Sequence, residues 1–302
     1  MSAPSTELVP VLEVGGTHVT TAWASEAGQV ESVGRVDLDN AAPAEALLAT
    51  LVEAGRALNA PEGAVWGVAV PGPFDYAAGI GDYTGVDKFQ SLHGVDVGAA
   101  LARGLDAAGV HFINDADAFG VGEWMAGALQ GCRRGVAMTL GTGIGSAFID
   151  RGLPVVSGPE VPRLGEVHTI ELRGVPLEEL VSRGAIREAF RDRTGELLEV
   201  KDIAGLARAG DQQALQVFDD AFGALAEAMT PVLQRFGAEA LVIGGSIAQA
   251  RDLVQEFFVA RLDHAGPDGH SLPVSTCADP VRSALVGTAH WAQARREGLG
   301  GY

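Results

Sequence analysis

The pattern that most constrains the fold of this chain is a strand followed by a glycine-rich turn and a second strand, and it occurs twice. Near the amino terminus, the apolar run Leu8–Val14 ends at the turn Gly15–Thr17 and the chain continues as a second extended run. In the middle of the chain, Gly135–Leu140 leads into the turn Gly141–Gly145 and the extended run Ala147–Asp150. Strand, glycine turn and strand is a hairpin pattern. The recurrence indicates an internal duplication of one α/β unit, with low identity between the copies.

Helical spacing alternates with short apolar runs along the rest of the chain, which predicts an α/β protein. We expect helices at about 44–58, 97–105, 116–129, 177–191, 212–236, 248–262 and 283–296, with further strands at 29–38, 64–70, 111–113 and 240–243. A length of 302 residues suits two domains. The boundary between the halves is expected near Asn114. No linker rich in Pro or Ser separates them, so we expect them to pack over a cleft, which is a preferred place for small ligands.

Charge and cysteine content exclude several classes of protein. The formal net charge is −18, and so acidic a protein repels nucleic acid and anionic membranes. Cys132 and Cys277 are isolated, so they cannot build a disulfide framework or a four-cysteine zinc site. The segment Met1–Pro10 has no basic residue before its apolar run, so we do not expect it to be a secretory signal. We therefore expect a soluble cytoplasmic protein.

Three glycine turns follow predicted strands, at Gly15–Thr17, Gly141–Gly145 and Gly244–Ser246. Each could be an ordinary tight turn, but the set favours nucleotide binding, since glycine lets backbone N–H groups approach a phosphate. Neither of the two lysines of the chain stands in the Gly-Lys-Ser/Thr sequence that a Walker A loop requires. The second turn has Ser146 where a dinucleotide fingerprint needs Gly, and a strand follows it, which argues against a Rossmann site. A phosphate held between two facing β-turns fits better.

Four polar residues are candidates for ligand contacts: Asn114, Asp115, Glu166 and Glu178. Two of these positions have a structural alternative, because Asp115 is a good N-cap residue and a first-turn carboxylate such as Glu178 is favoured by the helix dipole. Clustered carboxylates and carboxamides suit a polyhydroxylated ligand. The histidines His168, His264 and His270 do not form a convincing metal set.

In this order, the motifs resemble the ROK family (repressor, open reading frame, kinase), which has the hexokinase–actin ATPase fold. Glu13–Thr17 is similar to its first phosphate motif, Leu140–Gly145 to its second and Leu241–Gly245 to its adenosine motif. Four parts of this chain are similar to the family's sugar-side segments: Val70–Pro73, Asn114–Ala118 with Gly122 and Glu123, Leu164–Glu166 and Leu177–Ser182.

The resemblance implies a two-domain actin-like ATPase, with ribonuclease H-like duplicated α/β units and an interdomain cleft. A smaller domain would comprise 1–114 plus 288–302 and a larger one 115–287. It also implies phosphorylation of a hexose, usually at the 6-hydroxyl, by ATP and Mg²⁺. The partners would be a small-molecule sugar and a nucleotide, with no nucleic acid and no membrane, and the chain would be a homodimer.

Matched residue by residue, the resemblance makes Asp115 the general base on the sugar hydroxyl. Glu13 would orient Mg²⁺, which arrives with the nucleotide, and no metal is bound by the protein alone. The substrate-binding residues would be Gly72, Gly85, Asp87, Asn114, Glu166, His168, Thr169 and Glu178. The nucleotide-binding residues would be Glu13, Gly15, Gly16, Thr17, His18, Gly141, Thr142, Gly143, Gly145, Gly244, Gly245 and Ser246.

The chain departs from the family pattern at four places. Glu13 replaces the usual Asp, so we expect altered metal geometry rather than loss of function. His168 and Thr169 stand where many members have Gly and His, and Gly85 stands where relatives commonly have Asn. The zinc-binding cysteine cluster is absent, as in the polyphosphate-using glucokinases and glucomannokinases, and no zinc is expected. The sugar-side changes, with Asp87 nearby, point to an amino-hexose such as kanosamine or glucosamine.

Alternative functions stay open. A sugar-binding or regulatory protein without catalysis would explain Glu13 and Thr169, whereas Asp115 favours catalysis. We do not expect a transcriptional regulator, because a first strand near Leu8 leaves no room for a winged helix–turn–helix before it and the charge is wrong for DNA. Polyphosphate could replace ATP as the donor. An enzyme of another class, acetate-kinase-like or NAD-dependent, would differ in nucleotide specificity.

Overall fold

The computed structural model describes residues 5–262 and 265–299 of the chain. The chain divides into two compact units, Met1–Gln130 with Val281–Tyr302, and Gly131–Pro280. This division differs from the predicted boundaries after 114 and before 288. The helix that follows Asn114 and the first turns of the last helix belong to the first unit.

The first unit is built around a mixed five-stranded sheet with the order β3-β2-β1-β4-β7. Strands β1, β2 and β3 are antiparallel neighbours, whereas β1, β4 and β7 are parallel. The carboxyl ends of β1, β4 and β7 therefore lie along one edge of the sheet. The elements in chain order are β1 (Val9–Val14), β2 (His18–Ala24), β3 (Val30–Asp37), α1 (Ala44–Arg56), β4 (Val65–Val70), β5 (Phe74–Asp75), β6 (Ile80–Gly81), α2 (Val97–Gly104), β7 (Gly109–Asn114) and α3 (Asp115–Ala126).

The second unit repeats this arrangement. Its main sheet has the order β10-β9-β8-β13-β14, again with three antiparallel strands beside two further parallel ones. The two matching sheets confirm the predicted duplication of an α/β unit. The elements are β8 (Arg134–Leu140), β9 (Ile144–Asp150), β10 (Leu153–Pro154), β11 (Glu171–Leu172), β12 (Val175–Pro176), α4 (Glu178–Val181), α5 (Arg183–Thr194), α6 (Val200–Arg208), α7 (Gln212–Phe236), β13 (Ala240–Gly244), α8 (Arg251–Phe257) and β14 (Val274–Thr276), after which α9 (Pro280–Arg296) returns the chain to the first unit.

Each unit has its own apolar core. In the first, β1 is buried on both faces and packs with Trp66 of β4 and Leu101 of α2. In the second, the long helix α7 supplies Phe218, Phe222 and other fully buried side chains. Helix α7 begins where Asp211 accepts hydrogen bonds from the N–H groups of Gln213 and Ala214, as an N-cap does.

Close packing of α3 against α9 explains why α3 belongs to the first unit. A Cβ atom added to Gly122 of α3 would lie 1.7 Å from the backbone oxygen of Ser283 in α9, and one added to Gly287 would lie 1.9 Å from the oxygen of Ala118. Only glycine permits this approach. Beside it, the hydroxyl of Ser283 donates a 2.6 Å hydrogen bond to the carboxylate of Glu123.

Two predicted helices are interrupted. The helix expected at 177–191 stops at Ser182, where the backbone is extended. The side chain of Ser182 accepts a hydrogen bond from the N–H of Ala185 and so caps the new helix α5. The helix expected at 248–262 contains α8 between two short 3-10 turns. Helix α6 and strand β14 have no counterpart among the predicted elements.

Within residues 5–262 and 265–299, none of the helices has the length and apolar character needed to cross a membrane.

Candidate active site

In the first unit, the sheet brings the predicted sugar-side residues to one edge. Strand β4 ends before Gly72, and its neighbour β7 ends at Asn114. A Cβ atom on Gly72 would lie 3.2 Å from the hydroxyl of Tyr76 and 3.9 Å from the side-chain nitrogen of Asn114. The small residue therefore leaves room beside the Asn114 amide.

The amide of Asn114 positions the start of helix α3. Its oxygen accepts hydrogen bonds of 2.9 Å from the N–H of Ala116 and 3.3 Å from that of Asp117, and its nitrogen donates at 2.9 Å to Tyr76. Asn114 is thus the N-cap, and the predicted N-cap alternative for Asp115 does not apply, because Asp115 is the first residue of the helix.

Asp115 lies at the positive end of α3, where backbone N–H groups favour a carboxylate. One of its oxygens accepts a 2.9 Å hydrogen bond from the N–H of Ala116. Burial raises the pKa of the Asp115 carboxyl above its ordinary range, while the charge of Lys88 and the backbone N–H groups lower it. A carboxylate with a raised pKa is a better proton acceptor than an exposed one.

The loop that was predicted to contact the sugar is exposed at both Gly85 and Asp87. Gly85 has a positive φ of 76°, and a Cβ there would meet no atom within 4 Å, so the site is open. Asp87 is exposed and forms no ion pair with the residues described here. Lys88, which sequence reasoning did not assign to the site, acts electrostatically on Asp115.

The first glycine turn joins β1 to β2, as predicted. The N–H of Gly15 donates a 2.8 Å hydrogen bond to the oxygen of His18, which closes the turn. Among the described residues, no hydrogen bond engages the N–H groups of Gly16 and Thr17, so both can donate to an anion. Glu13 lies one residue before the end of β1 and is half-buried.

His18 and Arg35 stand beside this turn. The Nδ1 atom of His18 is 3.2 Å from both the hydroxyl of Thr17 and a guanidinium nitrogen of Arg35. Burial and the charge of Arg35 lower the pKa of His18. The histidine is therefore neutral near pH 7 and accepts at Nδ1, since arginine can only donate. Sequence reasoning missed Arg35, because β3 gives no local signal that it pairs with β2 at this register.

The second glycine turn joins β8 to β9 in the second unit. The N–H of Gly141 donates a 3.0 Å hydrogen bond to the oxygen of Gly143, and Thr142 at the tip is exposed. Parallel pairing of β8 with β13 brings Ser246 next to Gly141, where a Cβ would lie 3.6 Å from the serine hydroxyl oxygen. Gly245 has a φ of 92° and passes so near the oxygen of Leu140 that a Cβ would lie 2.3 Å from it.

Glu178 is bound to the second glycine turn. Its Oε2 atom accepts a 3.0 Å hydrogen bond from the N–H of Ile144. A Cβ atom on Gly143 would lie 2.4 Å from the same oxygen. The predicted sugar residue Glu178 thus also supports the predicted phosphate turn. Among the described residues, no hydrogen bond engages its Oε1 atom.

The segment around Glu166 is held by Ser146 of β9. The buried hydroxyl of Ser146 donates a 2.6 Å hydrogen bond to the oxygen of Gly165 and accepts one of 3.0 Å from the N–H of Val167. Glu166 is therefore fixed on both sides by one side chain. Ser146 follows Gly145 and stands where a dinucleotide fingerprint would have Gly, which was its only signal in the sequence.

His168 and Thr169 differ in their exposure. Thr169 is exposed, and its hydroxyl donates a 2.8 Å hydrogen bond to the oxygen of Glu166, so it closes a local turn. His168 is half-buried.

Comparison with known proteins identifies the family. The sequence model of the ROK family matches residues 10–294. The chain belongs to the ROK family. Within it, the chain is 29% identical over 278 residues to a glucokinase of Thermotoga maritima, covering 83% of this chain and 85% of that protein. The chain is therefore a glucokinase-like member of the ROK family.

Solved structures agree with the fold of this ROK protein. A ROK hexokinase from Thermus thermophilus aligns with a TM-score of 0.80 at 21% identity and covers 96% of this chain and 99% of that one. A ROK glucokinase from Streptomyces griseus, solved with glucose and AMPPNP, aligns with a TM-score of 0.74 at 20% identity and covers 95% and 99%. The two sheet cores are thus those of the hexokinase-type actin-like ATPases.

The donor groups of the ROK protein fit a nucleotide better than a metal ion held by the protein alone. In the described part of the chain, no three His, Cys, Asp or Glu side chains are grouped so that they could hold a metal. Backbone N–H groups of Gly16 and Thr17, and Arg35 beside them, suit phosphate oxygens. His264, which the sequence reasoning set aside as a ligand, lies outside the described residues.

Proposed function

We propose that the chain is an ATP-dependent sugar kinase that phosphorylates the 6-hydroxyl of a hexose, with Asp115 as the general base. The observation that carries the proposal is the Asp115 carboxylate, which lies at the start of α3 with a raised pKa beside the Asn114 amide. A base of this kind is what a hydroxyl acceptor needs, and the similarity to glucokinases supports the same reaction.

In this reaction the sugar hydroxyl gives its proton to Asp115 and receives the phosphoryl group from ATP. Asp115 accepts a hydrogen bond from the sugar hydroxyl and so aims its oxygen lone pair at the donor. The new bond forms between that oxygen and the terminal phosphorus of ATP, the bond from phosphorus to the bridging oxygen breaks, and ADP leaves. The hydroxyl proton passes to Asp115, which is worth about 10²- to 10⁴-fold in rate. Phosphoryl transfer otherwise asks for positioning and charge neutralisation.

The glycine turns would hold the donor. Gly15, Gly16, Thr17 and His18 in the first unit, and Gly141, Thr142, Gly143 and Gly145 in the second, would place backbone N–H groups at phosphate oxygens. Gly244, Gly245 and Ser246 would face the adenosine. Mg²⁺ bound to the nucleotide would neutralise phosphate charge, with Glu13 as the residue that orients it. AMPPNP, an ATP analogue, in the Streptomyces griseus glucokinase supports ATP as the donor.

On the sugar side, the proposal assigns Gly72, Gly85, Asp87, Asn114, Glu166, His168 and Glu178 to the hexose. Thr169 was predicted to join them, but its hydroxyl is bonded to the backbone of Glu166, so His168 is the better candidate of the two. The exposed carboxylate of Asp87 keeps an amino-hexose such as glucosamine or kanosamine as a specific hypothesis. Efficient turnover of glucose with neither amino sugar accepted would reject it.

The deciding experiment is a coupled ADP-release assay with Mg-ATP and a panel of glucose, mannose, N-acetylglucosamine, glucosamine and kanosamine. The wild type should turn over at least one hexose, and the product should carry phosphate at the 6-position by ³¹P-coupled NMR. Asp115→Asn should lose about 10²-fold or more in kcat. Calorimetry of sugar binding to the same variant distinguishes lost chemistry from lost binding.

Failure with ATP would call for the same panel with polyphosphate as donor. Turnover with polyphosphate alone would replace ATP as the donor and keep the kinase. Sugar binding without turnover by either donor would favour a sugar-binding or regulatory protein that has kept the fold. We also propose a homodimer, which light scattering after gel filtration would show as twice the 31.1 kDa chain mass.

A further inference from the structure

Ser146 of β9 connects two parts of the candidate site. It directly follows the glycine turn Gly141–Gly145, and it is only 8% exposed. Its hydroxyl donates a 2.6 Å hydrogen bond to the backbone oxygen of Gly165 and accepts one of 3.0 Å from the backbone N–H of Val167. Glu166 lies between these two residues. A side chain next to the proposed phosphate turn therefore holds the backbone on both sides of a proposed sugar carboxylate.

The backbone that leads to Glu166 is in an unfavourable conformation. Leu164 has a φ of 58°, in the left-handed region that a leucine rarely adopts, and Gly165 follows with a φ of 72°. The Leu164 side chain is 52% exposed, so its own packing does little to hold it there. A strained residue of this kind persists only where its neighbours fix it. The bond from Ser146 to Gly165 supplies that support on one side of Glu166, and the fully buried Val167 supplies it on the other.

The carboxylate of Glu166 has the properties of a ligand-binding group. It is half-buried, and among the described residues no hydrogen bond or ion pair engages its oxygens. An ionised carboxylate only accepts hydrogen bonds, so its two oxygens suit the hydroxyl groups of a sugar. Since no side-chain partner holds this carboxylate in place, its position depends on its backbone, and that backbone is held by Ser146.

The second carboxylate assigned to the sugar is tied to the same hairpin. Glu178, the first residue of α4, accepts a 3.0 Å hydrogen bond from the N–H of Ile144. Beyond the other end of α4, the N–H of Arg183 donates a 2.8 Å hydrogen bond to the oxygen of Gly141. Both ends of α4 are therefore bonded to the glycine turn. The β8–β9 hairpin thus holds the segments of Glu166 and Glu178 together.

Segments that are bonded to one hairpin do not become ordered independently. A ligand that orders one of them lowers the entropic cost of ordering the other, and a second ligand then binds more tightly. By linkage this effect is reciprocal, so that each ligand raises the affinity for the other by the same factor.

We propose that Ser146 couples the binding of the two substrates. A hexose on Glu166 stabilises, through Ser146, the glycine turn that holds the donor phosphates, and a nucleotide on that turn stabilises the segment of Glu166. Ser146 is a positioning residue, because it acts through the backbone of Gly165 and Val167. This inference rests on the proposed function, which places the hexose at Glu166 and the phosphates at the turn.

Calorimetry measures this coupling without turnover. The Kd of AMPPNP with Mg²⁺ is measured with and without the hexose selected by the activity panel, and the Kd of that hexose with and without AMPPNP. In wild type, each ligand should tighten the binding of the other by the same factor, about fivefold or more. In Ser146→Ala this factor should fall below about twofold, since the bonds that link the two segments are gone.

Two further variants separate coupling from general damage. Ser146→Cys keeps the size of the side chain but is only a weak hydrogen-bond donor and acceptor, so it should lose coupling without leaving a space. Thr194→Ala is the matched control in the same unit. The Thr194 hydroxyl also donates to a backbone oxygen, that of Phe190 at 2.8 Å, and accepts from a backbone N–H, that of Glu196 at 3.2 Å. Thr194→Ala should keep the wild-type factor.

Hydrogen exchange followed by NMR tests the same link without a hexose. The N–H of Glu166 donates to the oxygen of Arg163, and this bond is not removed by changes at Ser146. AMPPNP with Mg²⁺ should slow the exchange of this N–H in wild type and in Thr194→Ala, and should leave it unchanged in Ser146→Ala.

A coupling factor that is the same in wild type and Ser146→Ala would overturn the proposal, even if the variant binds the hexose more weakly. So would a wild type that binds both ligands independently, and that result would leave the proposed function intact. A wild type that binds AMPPNP but no hexose would reject the proposed function. In that case, AMPPNP-slowed exchange at Glu166 that is lost in Ser146→Ala would still support the link through Ser146, and its absence in wild type would overturn it.

Discussion

The Oε2 atom of Glu178 accepts a 3.0 Å hydrogen bond from the backbone N–H of Ile144. This bond joins the first residue of α4 to the turn between β8 and β9. Ile144 is 4% exposed, so its N–H has no ready access to water if the carboxylate is removed. One residue assigned by sequence to the sugar thereby supports the turn assigned to the phosphates.

Replacement of Glu178 by Ala should destabilise the second unit by about 1–3 kcal/mol, because a buried N–H loses its acceptor. The KM for ATP should rise as the turn loosens. Glu178→Gln keeps an acceptor oxygen and should lose less. Denaturant unfolding and steady-state kinetics would measure both effects, with the exposed neighbour Glu179→Ala as control. A variant of full stability with only its hexose KM raised would assign Glu178 to the sugar alone.

Gly143→Ala should act through Glu178. Its methyl group would lie 2.4 Å from Oε2 and push the carboxylate away from Ile144. In a double-mutant cycle with Glu178→Ala, the double variant should lose less free energy of unfolding than the two single variants lose together, since both changes remove the same bond. Free energies of unfolding for the four proteins give the coupling. Additive losses would contradict this coupling.

Gly122→Ala should be among the most damaging single-methyl changes in the chain. The added Cβ would lie 1.7 Å from the backbone oxygen of Ser283, so α3 and α9 must move apart, at a cost of about 3 kcal/mol or more. Gly205→Ala in α6 is the matched control, because no atom lies within 4 Å of its Cβ. In Gly205→Ala, the better helix propensity of Ala should raise the free energy of unfolding by about 0.5–1 kcal/mol. Urea unfolding would measure both, and equal stabilities would refute this packing of α3 on α9.

Asp115→Asn should raise thermal stability while it removes activity. Because burial raises the folded-state pKa of Asp115 above 3.8, the folded protein binds the proton more tightly than the unfolded chain. The contribution of this group to stability is therefore full below pH 3.8 and falls as pH rises through the folded pKa. Melting curves should show Asp115→Asn above wild type at pH 7.5, with the difference shrinking at acid pH. The exposed Asp87→Asn should change the melting temperature little, and a lower melting temperature for Asp115→Asn at pH 7.5 would oppose this account.

Zinc chelation should leave the protein intact. Cys132 and Cys277 form no disulfide bond, and the described residues contain no metal-ligand cluster. Treatment with 1,10-phenanthroline should change neither the melting temperature nor the hexose phosphorylation measured with excess Mg²⁺. EDTA in excess over Mg²⁺ should abolish phosphorylation, since the nucleotide then lacks its cation. A melting temperature that falls with phenanthroline and recovers with added zinc would reveal a structural zinc.

Local pattern predicted much of this fold because period-two and period-3.6 apolar spacing needs only neighbouring residues. The β1–β2 hairpin, the β8–β9 hairpin and the long helix α7 follow from this spacing. The interruption at Ser182 was missed, because a serine within apolar helical spacing is read as helix until its side chain is seen to cap Ala185. Helix α6 was missed as well, being short and flanked by polar residues.

The candidate site, like the fold, could be predicted from local sequence only in part. Sequence alone determined which residue types stand after which strands, such as Asn114 and Asp115 after β7, because strand ends and glycine turns are local. Tertiary structure decided what each side chain does: Asn114 caps α3, Glu178 holds Ile144, Ser146 fixes the segment of Glu166, and Arg35 and Lys88 supply charge. Those roles depend on strand register, burial and contacts between residues far apart in the chain, and no local pattern encodes them.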